Sequence, residues 1–161
     1  MAVVNSSPII TLAKIGKLEF LHKIFGIVII PEQVYKEVLS KPDYSEAIAI
    51  KRCVEHEKWL KVQKSKEING NLGIGESSSI GLASKLKHIL IIDDKKAAFI
   101  AGTLGVECHG TLYVILESLK RGLIKDKKEA IYIVEQLVNN NLYLSTETLS
   151  AFYSLLEKVK I

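Results

Sequence analysis

Two of the chain's four aspartates, Asp93 and Asp94, stand side by side directly after the apolar run Ile89-Leu90-Ile91-Ile92. Three more oxygen-bearing side chains fall near the ends of similar runs. Asn5 follows Val3-Val4, Glu37 sits in the segment entered from Ile27-Val28-Ile29-Ile30, and Glu76 opens the segment that precedes the Ile89 run. Carboxylates gathered at one place repel unless a cation sits among them, and an oxygen-only set selects Mg²⁺ or Mn²⁺. Such ions activate water and stabilise in-line displacement at phosphorus. Each residue also has a plainer explanation. Glu76 in a first helical turn favours the helix dipole, Asp93 or Asp94 can cap the next helix, and Glu37 can be a solvated helix residue. Their shared placement favours the metal site.

The elements that would position these residues alternate between strand and helix. Val3-Val4 reads as a buried strand. A helix follows with Ser7 as N-cap and Pro8 at its first position, ending near Gly16. A short helix carries Leu18, Leu21 and Ile24. Ile27–Ile30 reads as a strand buried on both faces, and Pro31 begins the next helix. Residues 45–58 read as an amphipathic helix, Trp59-Leu60-Lys61-Val62 as a short strand and 63–72 as a polar loop. Further helices are predicted at 74–86, 94–104, 111–121, 127–140 and 146–159. Ile89–Ile92 is another buried strand and Val106–His109 a weak fifth. Gly122 is expected to cap the end of the helix at 111–121. This alternation predicts an α/β fold, a three-layer α/β/α sandwich around a central parallel sheet of four or five strands. Chemistry in such folds sits beyond the carboxyl ends of the strands. One domain over 1–161 is expected, with 126–161 a C-terminal helical extension packed on it.

Other chemistries fit less well. Gly73-Ile74-Gly75-Glu76 lacks the third glycine of a dinucleotide fingerprint and follows a polar loop rather than a strand. There is no P-loop pattern and no G-x-S-x-G elbow. His22, His56, His88 and His109 show no zinc spacing, and only His109, beside Gly110-Thr111, falls near the carboxylates. Cys53 and Cys108 form no C-x-x-C pair and have no evident base, which suits inert thiols in a reducing compartment.

Composition sets the remaining bounds. The chain has 161 residues, 48% of them apolar and 25% charged, which excludes a wholly disordered protein. Net charge is +4, carried by 20 lysines and only Arg52 and Arg121 as arginines. Lysine meets phosphate as a point charge, so a nucleic-acid partner would be held by its backbone more than read by its bases. Lys95 and Lys96, directly after the acidic pair, are placed to hold a substrate phosphate. No apolar run of 18 residues or more occurs and no secretory leader pattern is present, so a cytoplasmic protein without a membrane span is expected.

Taken in order, five segments resemble PIN-domain nucleases, and most closely the DUF3368-type branch. They are Val4-Asn5-Ser6-Ser7-Pro8-Ile9-Ile10 with Leu12 to Gly16; Ile30-Pro31 with Val34 to Val38; Leu72-Gly73 with Gly75-Glu76 and Ile80 to Ala83; Ile92 to Ala97; and Gly110-Thr111. The resemblance runs from residue 3 to about 124, and the tail is also of family type. It implies a central parallel sheet, a divalent metal in an acidic pocket and single-stranded RNA as substrate. Many relatives are toxins held inactive by a small antitoxin protein, and many are homodimers. Carried over, the catalytic set falls on Asn5, Glu37, Glu76 and Asp94, and the metal set on Glu37, Glu76 and Asp94 with Asp93 as a neighbour one residue away. Ser7, Lys95, Lys96 and Thr111 fall at substrate-binding positions. PIN nucleases at large open their site with Asp, whereas this chain has Asn5, and Asn occurs at this place in the DUF3368-type branch too. Two functions are therefore expected to compete, a Mg²⁺- or Mn²⁺-dependent endoribonuclease and a PIN-like module that binds RNA or protein without cutting, with a structural or assembly subunit as a third reading that only the mild net charge supports.

Overall fold

A computed structural model describes residues 1–68 and 70–161. The predicted polar loop 63–72 includes Asn69, which lies outside the described residues. Five strands form one all-parallel sheet: β1 (Ala2–Val4), β2 (Val28–Pro31), β3 (Leu60–Gln63), β4 (Ile89–Ile91) and β5 (Cys108–His109). Their spatial order is β3-β2-β1-β4-β5. The chain therefore builds outward from β1 in one direction, then crosses back over it to add β4 and β5 on the other side. That reversal puts a topological switch point between β1 and β4, where Val4 pairs with Ile91.

The helices are α1 (Ser6–Lys14), α2 (Glu19–Phe25), α3 (Glu32–Val38), α4 (Ser45–Arg52), α5 (Ile74–Leu86), α6 (Lys95–Thr103), α7 (Thr111–Lys120), α8 (Lys127–Asn139) and α9 (Thr146–Lys158). Alternate residues of each strand point to opposite faces, and the core divides accordingly. Val4, Val28, Ile30, Leu60 and Ile91 join a large cluster that contains Leu12, Leu21, Val34, Ile50, Ile115, Leu137 and Phe152. Val3, Ile29, Leu90 and Ile92 join a second cluster with Ile80, Leu82, Ala83, Ala97 and Ala101 of α5 and α6. The result is the three-layer sandwich that the strand–helix alternation predicts. Each fully buried Ile or Leu contributes about 1.5–3 kcal/mol against exposure, so both faces of the sheet are held firmly.

Strand and helix ends shift by one or two residues from the sequence reading, with β5 shortened to Cys108–His109, and three of the differences have a local cause. Helix α1 begins at Ser6 with Asn5, not Ser7, in the N-cap position, because the backbone leaves the extended region directly after Asn5. Pro31 ends β2 and caps α3 rather than opening the helix; its ψ of 150° is extended, and it pairs with Gln63. The predicted helix 45–58 is helical only to Arg52 and then widens into one π turn, Cys53–Glu57. That turn buries Cys53 and brings Glu57 to accept a hydrogen bond from the Trp59 indole at 2.8 Å.

Candidate active site

Asn5 directly follows β1 at the switch point and is 4% exposed. Its backbone N–H bonds to the Ile91 carbonyl at 2.9 Å, which continues the β1–β4 ladder by one residue. Its side-chain Oδ1 lies 3.0 Å from Ser79 Oγ on α5. That hydroxyl also lies 2.8 Å from the carbonyl of Gly75, one turn earlier, and its single proton serves one acceptor at a time. Gly75 matters for a second reason. A Cβ added there would lie 2.9 Å from Glu37 Oε2 and 3.8 Å from Asn5 Oδ1. The missing side chain leaves a cradle into which oxygens from β1 and α3 both project.

Glu37 lies on α3 and is exposed, and among the described residues its carboxylate has no hydrogen-bond or salt-bridge partner. It shares an open cleft of about 520 Å³ with Glu76, Gln33 and Ser6. Gln33 Oε1, one helical turn before Glu37, is buried without a partner among the described residues. Glu76 turns back on its own helix: its Oε2 accepts the Gly73 N–H at 3.2 Å. Glycine has no side chain to return the bond, so only half a capping box forms.

Across the Ser6-Ser7 turn lies Asp93. Its Oδ1 accepts the Thr111 N–H at 2.7 Å, and its Oδ2 accepts the Thr111 hydroxyl at 2.7 Å and the Ser7 hydroxyl at 3.2 Å. Ser7 thus serves Asp93 instead of capping α1. Gly110 permits this approach, since a Cβ on it would stand 3.1 Å from Asp93 Oδ1. Asp94 takes the cap role: its Oδ1 accepts the Ala97 N–H at 2.8 Å at the start of α6, and the residue is exposed. Lys95 donates to Ser145 Oγ at 2.7 Å and Lys96 to the Asn71 carbonyl at 2.8 Å. Both lysines line a second cleft of about 610 Å³, with Asp93, Asp94 and His109.

The structure therefore brings Asn5 and Glu37 together over Gly75, and Ser7 and Thr111 together on Asp93. Glu76 and Asp94 each spend an oxygen on a helix start. As the side chains stand, no group of three or more His, Cys, Asp or Glu among the described residues could hold a metal ion. The donors at the switch point are nevertheless all oxygens, one carboxylate is free, and the Gly75 cradle keeps space beside it. That chemistry fits a hard divalent cation bound with water completing its shell.

The model of the DUF3368 PIN-domain family matches residues 1–158. The chain belongs to that family. PIN domains are in general nucleases, typically with divalent metals. Among solved structures, the chain is similar to a PilT N-terminus domain protein from the hyperthermophilic archaeon Sulfolobus solfataricus P2. The two share 22% identity with a TM-score of 0.55, over 74% of this chain and 94% of that one. At that identity the likeness shows the fold alone. No curated protein matches the chain.

Two residues of this PIN domain went unmarked in the sequence reading, Gly75 as a spacer and Ser79 as the Asn5 partner. A signal for them existed. Ser77, Ser78 and Ser79 are consecutive, and all three are buried where a helix with apolar neighbours would normally present larger side chains. Ser77 spends its hydroxyl on the Ile68 carbonyl at 2.8 Å. Ser79 spends its own at the switch point.

Proposed function

We propose that this PIN domain is a divalent-cation-dependent endoribonuclease acting on single-stranded RNA at the carboxyl edge of the sheet. The convergence of Asn5 Oδ1 and Glu37 Oε2 on the space above Gly75 carries this reading. Asn5, Glu37 and Asp93 would hold the cation, with Glu76 able to join by releasing the Gly73 N–H. When bound, a Mg²⁺ or Mn²⁺ ion supplies an activated water and neutralises charge at the phosphate. Ser7 and Thr111 fix the orientation of Asp93. Thr111 further ties the end of β4 to the start of α7, so the carboxylate sits on rigid elements. Lys96 stands at the rim, where exchanging the Asn71 carbonyl for a phosphate oxygen would steady the RNA backbone.

The same reading extends to a cytoplasmic toxin restrained by a small antitoxin protein and active as a homodimer. No helix among the described residues is long and apolar enough to cross a membrane. Growth arrest on induced expression, relieved by co-expression of the neighbouring gene, tests that extension. The alternative, a module that binds RNA without cutting, is favoured by Asn5, which brings an oxygen but no charge. Cleavage of a fluorogenic single-stranded RNA with Mn²⁺, Mg²⁺ or EDTA decides between them. The nuclease reading expects cleavage that the cation restores after EDTA and that Glu37→Gln removes. Salt-dependent binding with no cleavage under any cation establishes the binding module instead.

A further inference from the structure

The larger cleft has features the nuclease reading does not use. It opens between the ends of β4 and β5 on one side and the chain entering α9 on the other, and Asp93 forms part of its wall. Its volume of about 610 Å³ falls in the range of small-ligand clefts. Its charges balance: Asp93 and Asp94 stand against Lys95 and Lys96. Ile92, Ala98, Leu112 and Leu144 supply apolar wall between them. A balanced, partly apolar cleft suits an uncharged flat group better than a phosphate.

The aromatic residues point the same way. The His109 and Tyr113 rings stack at 3.9 Å with 14° between their planes, so each holds the other in place in the wall and keeps only its outer face for a further group. Tyr143, on the chain entering α9, also lines the cleft and is 87% exposed, more than any other large hydrophobic side chain described. A tyrosine ring left in water has apolar area to gain by covering. The loop carrying it is tethered, because Lys95 donates to Ser145 Oγ at 2.7 Å and Ser145 Oγ in turn lies 2.8 Å from Thr148 Oγ1. Ser145 Oγ also accepts the Thr148 N–H at 3.2 Å and is fully engaged, which leaves the Thr148 hydroxyl for a ligand edge to bond.

We infer that this cleft is a nucleobase subsite, in which one unpaired RNA base lies against Tyr143 in the cleft that the His109–Tyr113 stack helps to line. Because Asp93 belongs to both regions, the base is that of a nucleotide next to the cleaved phosphate, a placement that rests on the nuclease reading. Stacking of this kind is tolerant of base identity, so the subsite selects unpaired over paired strands rather than one sequence.

The test is fluorescence anisotropy in EDTA, comparing a labelled oligo(rA) dodecamer with a ribose-phosphate dodecamer lacking bases. The subsite expects the base-bearing strand to bind tighter by on the order of tenfold. Tyr143→Ala should erase most of that difference and Tyr143→Phe should keep it. Phe99→Ser, an exposed aromatic on α6 outside the cleft, should leave it unchanged. Equal binding of the two strands by the wild-type protein, binding of neither, or base preference that survives Tyr143→Ala overturns the inference. Mn²⁺-dependent cleavage of the same oligo(rA) is read separately. Base preference lost with Tyr143→Ala but no cleavage upholds the subsite and removes the nuclease reading. Cleavage without base preference does the reverse.

Discussion

Asp93 and Thr111, 18 residues apart in sequence, are joined by two hydrogen bonds of 2.7 Å, one from the threonine backbone and one from its hydroxyl. Thr111 is fully buried and is the first residue of α7. The pair therefore welds the end of β4 to the start of a helix that packs in the main core.

Replacing Thr111 with Val removes one of those bonds and leaves the other. We expect a stability loss of about 1 kcal/mol, since the half-buried Asp93 carboxylate loses a donor. Thr111→Ser should recover most of it. Urea unfolding measures the stability, and RNA cleavage by the two variants should follow the same order.

Gly75→Ala separates site from fold. The new Cβ would stand 2.9 Å from Glu37 Oε2, the free end of an exposed side chain that can swing away at little cost. Alanine also suits a helix better than glycine, by up to about 1 kcal/mol. The expected result is equal or higher stability together with weaker Mn²⁺ binding and slower cleavage. Calorimetric titration with Mn²⁺ beside thermal unfolding reads both.

Asn5→Asp adds a buried charge next to Glu37. Most of its attraction for a divalent ion is offset by desolvation and by repulsion from the other carboxylates. A net gain of about 1–2 kcal/mol, on the order of tenfold in Mn²⁺ affinity, is expected. Without metal the variant should melt below the parent, because the added carboxylate is uncompensated except by the Ser79 hydroxyl. Unchanged affinity and unchanged metal-free stability would put Asn5 outside the site.

Asp93 and Asp94 should behave differently despite being adjacent. Asp93 accepts three hydrogen bonds at the switch point, whereas Asp94 caps α6. Asparagine is as good an N-cap as aspartate, so Asp94→Asn should change stability by no more than about 0.5 kcal/mol and retain most activity. Asp93→Asn should lower cleavage by on the order of a hundredfold, the usual scale for a group that stabilises charge at the reacting centre. Equal losses in the two variants would return Asp94 to the catalytic set.

Cys53 should be silent to thiol reagents. Burial, then the Glu57 charge and hydrogen bond, push its thiol up to about 12. Neither cysteine is in a disulfide, and burial raises the Cys108 thiol as well. Disulfide-exchange labelling at neutral pH should leave Cys53 unmodified until denaturant is added. The unfolded thiol ionises near pH 8.5 while the folded one resists. The stabilising contribution is therefore complete below that value and is lost as pH rises toward 12. Cys53→Ala should remove this part of the alkaline loss of stability, measured by urea unfolding across that range.

The layered architecture could be read from the chain itself, because burial on both faces leaves a local mark. Runs such as Ile27–Ile30 and Ile89–Ile92 offer no polar face, and helices with one apolar stripe alternate with them. Short family motifs singled out Ser7 and Thr111 as substrate-binding positions, whereas the structure shows their hydroxyls bonded to Asp93. Roles at helix starts were not legible. Capping depends on which residue leaves the extended region first, and a shift of two residues exchanges Asn5 for Ser7 as a shift of one exchanges Asp93 for Asp94. Nor does any local pattern bring Glu37 to Gly75, since that contact exists only because α3 packs on α5. Side-chain oxygens reach one point through the packing of separate elements. The strand order at the switch point decides which elements those are, and it arises from the whole core rather than from any segment of the sequence.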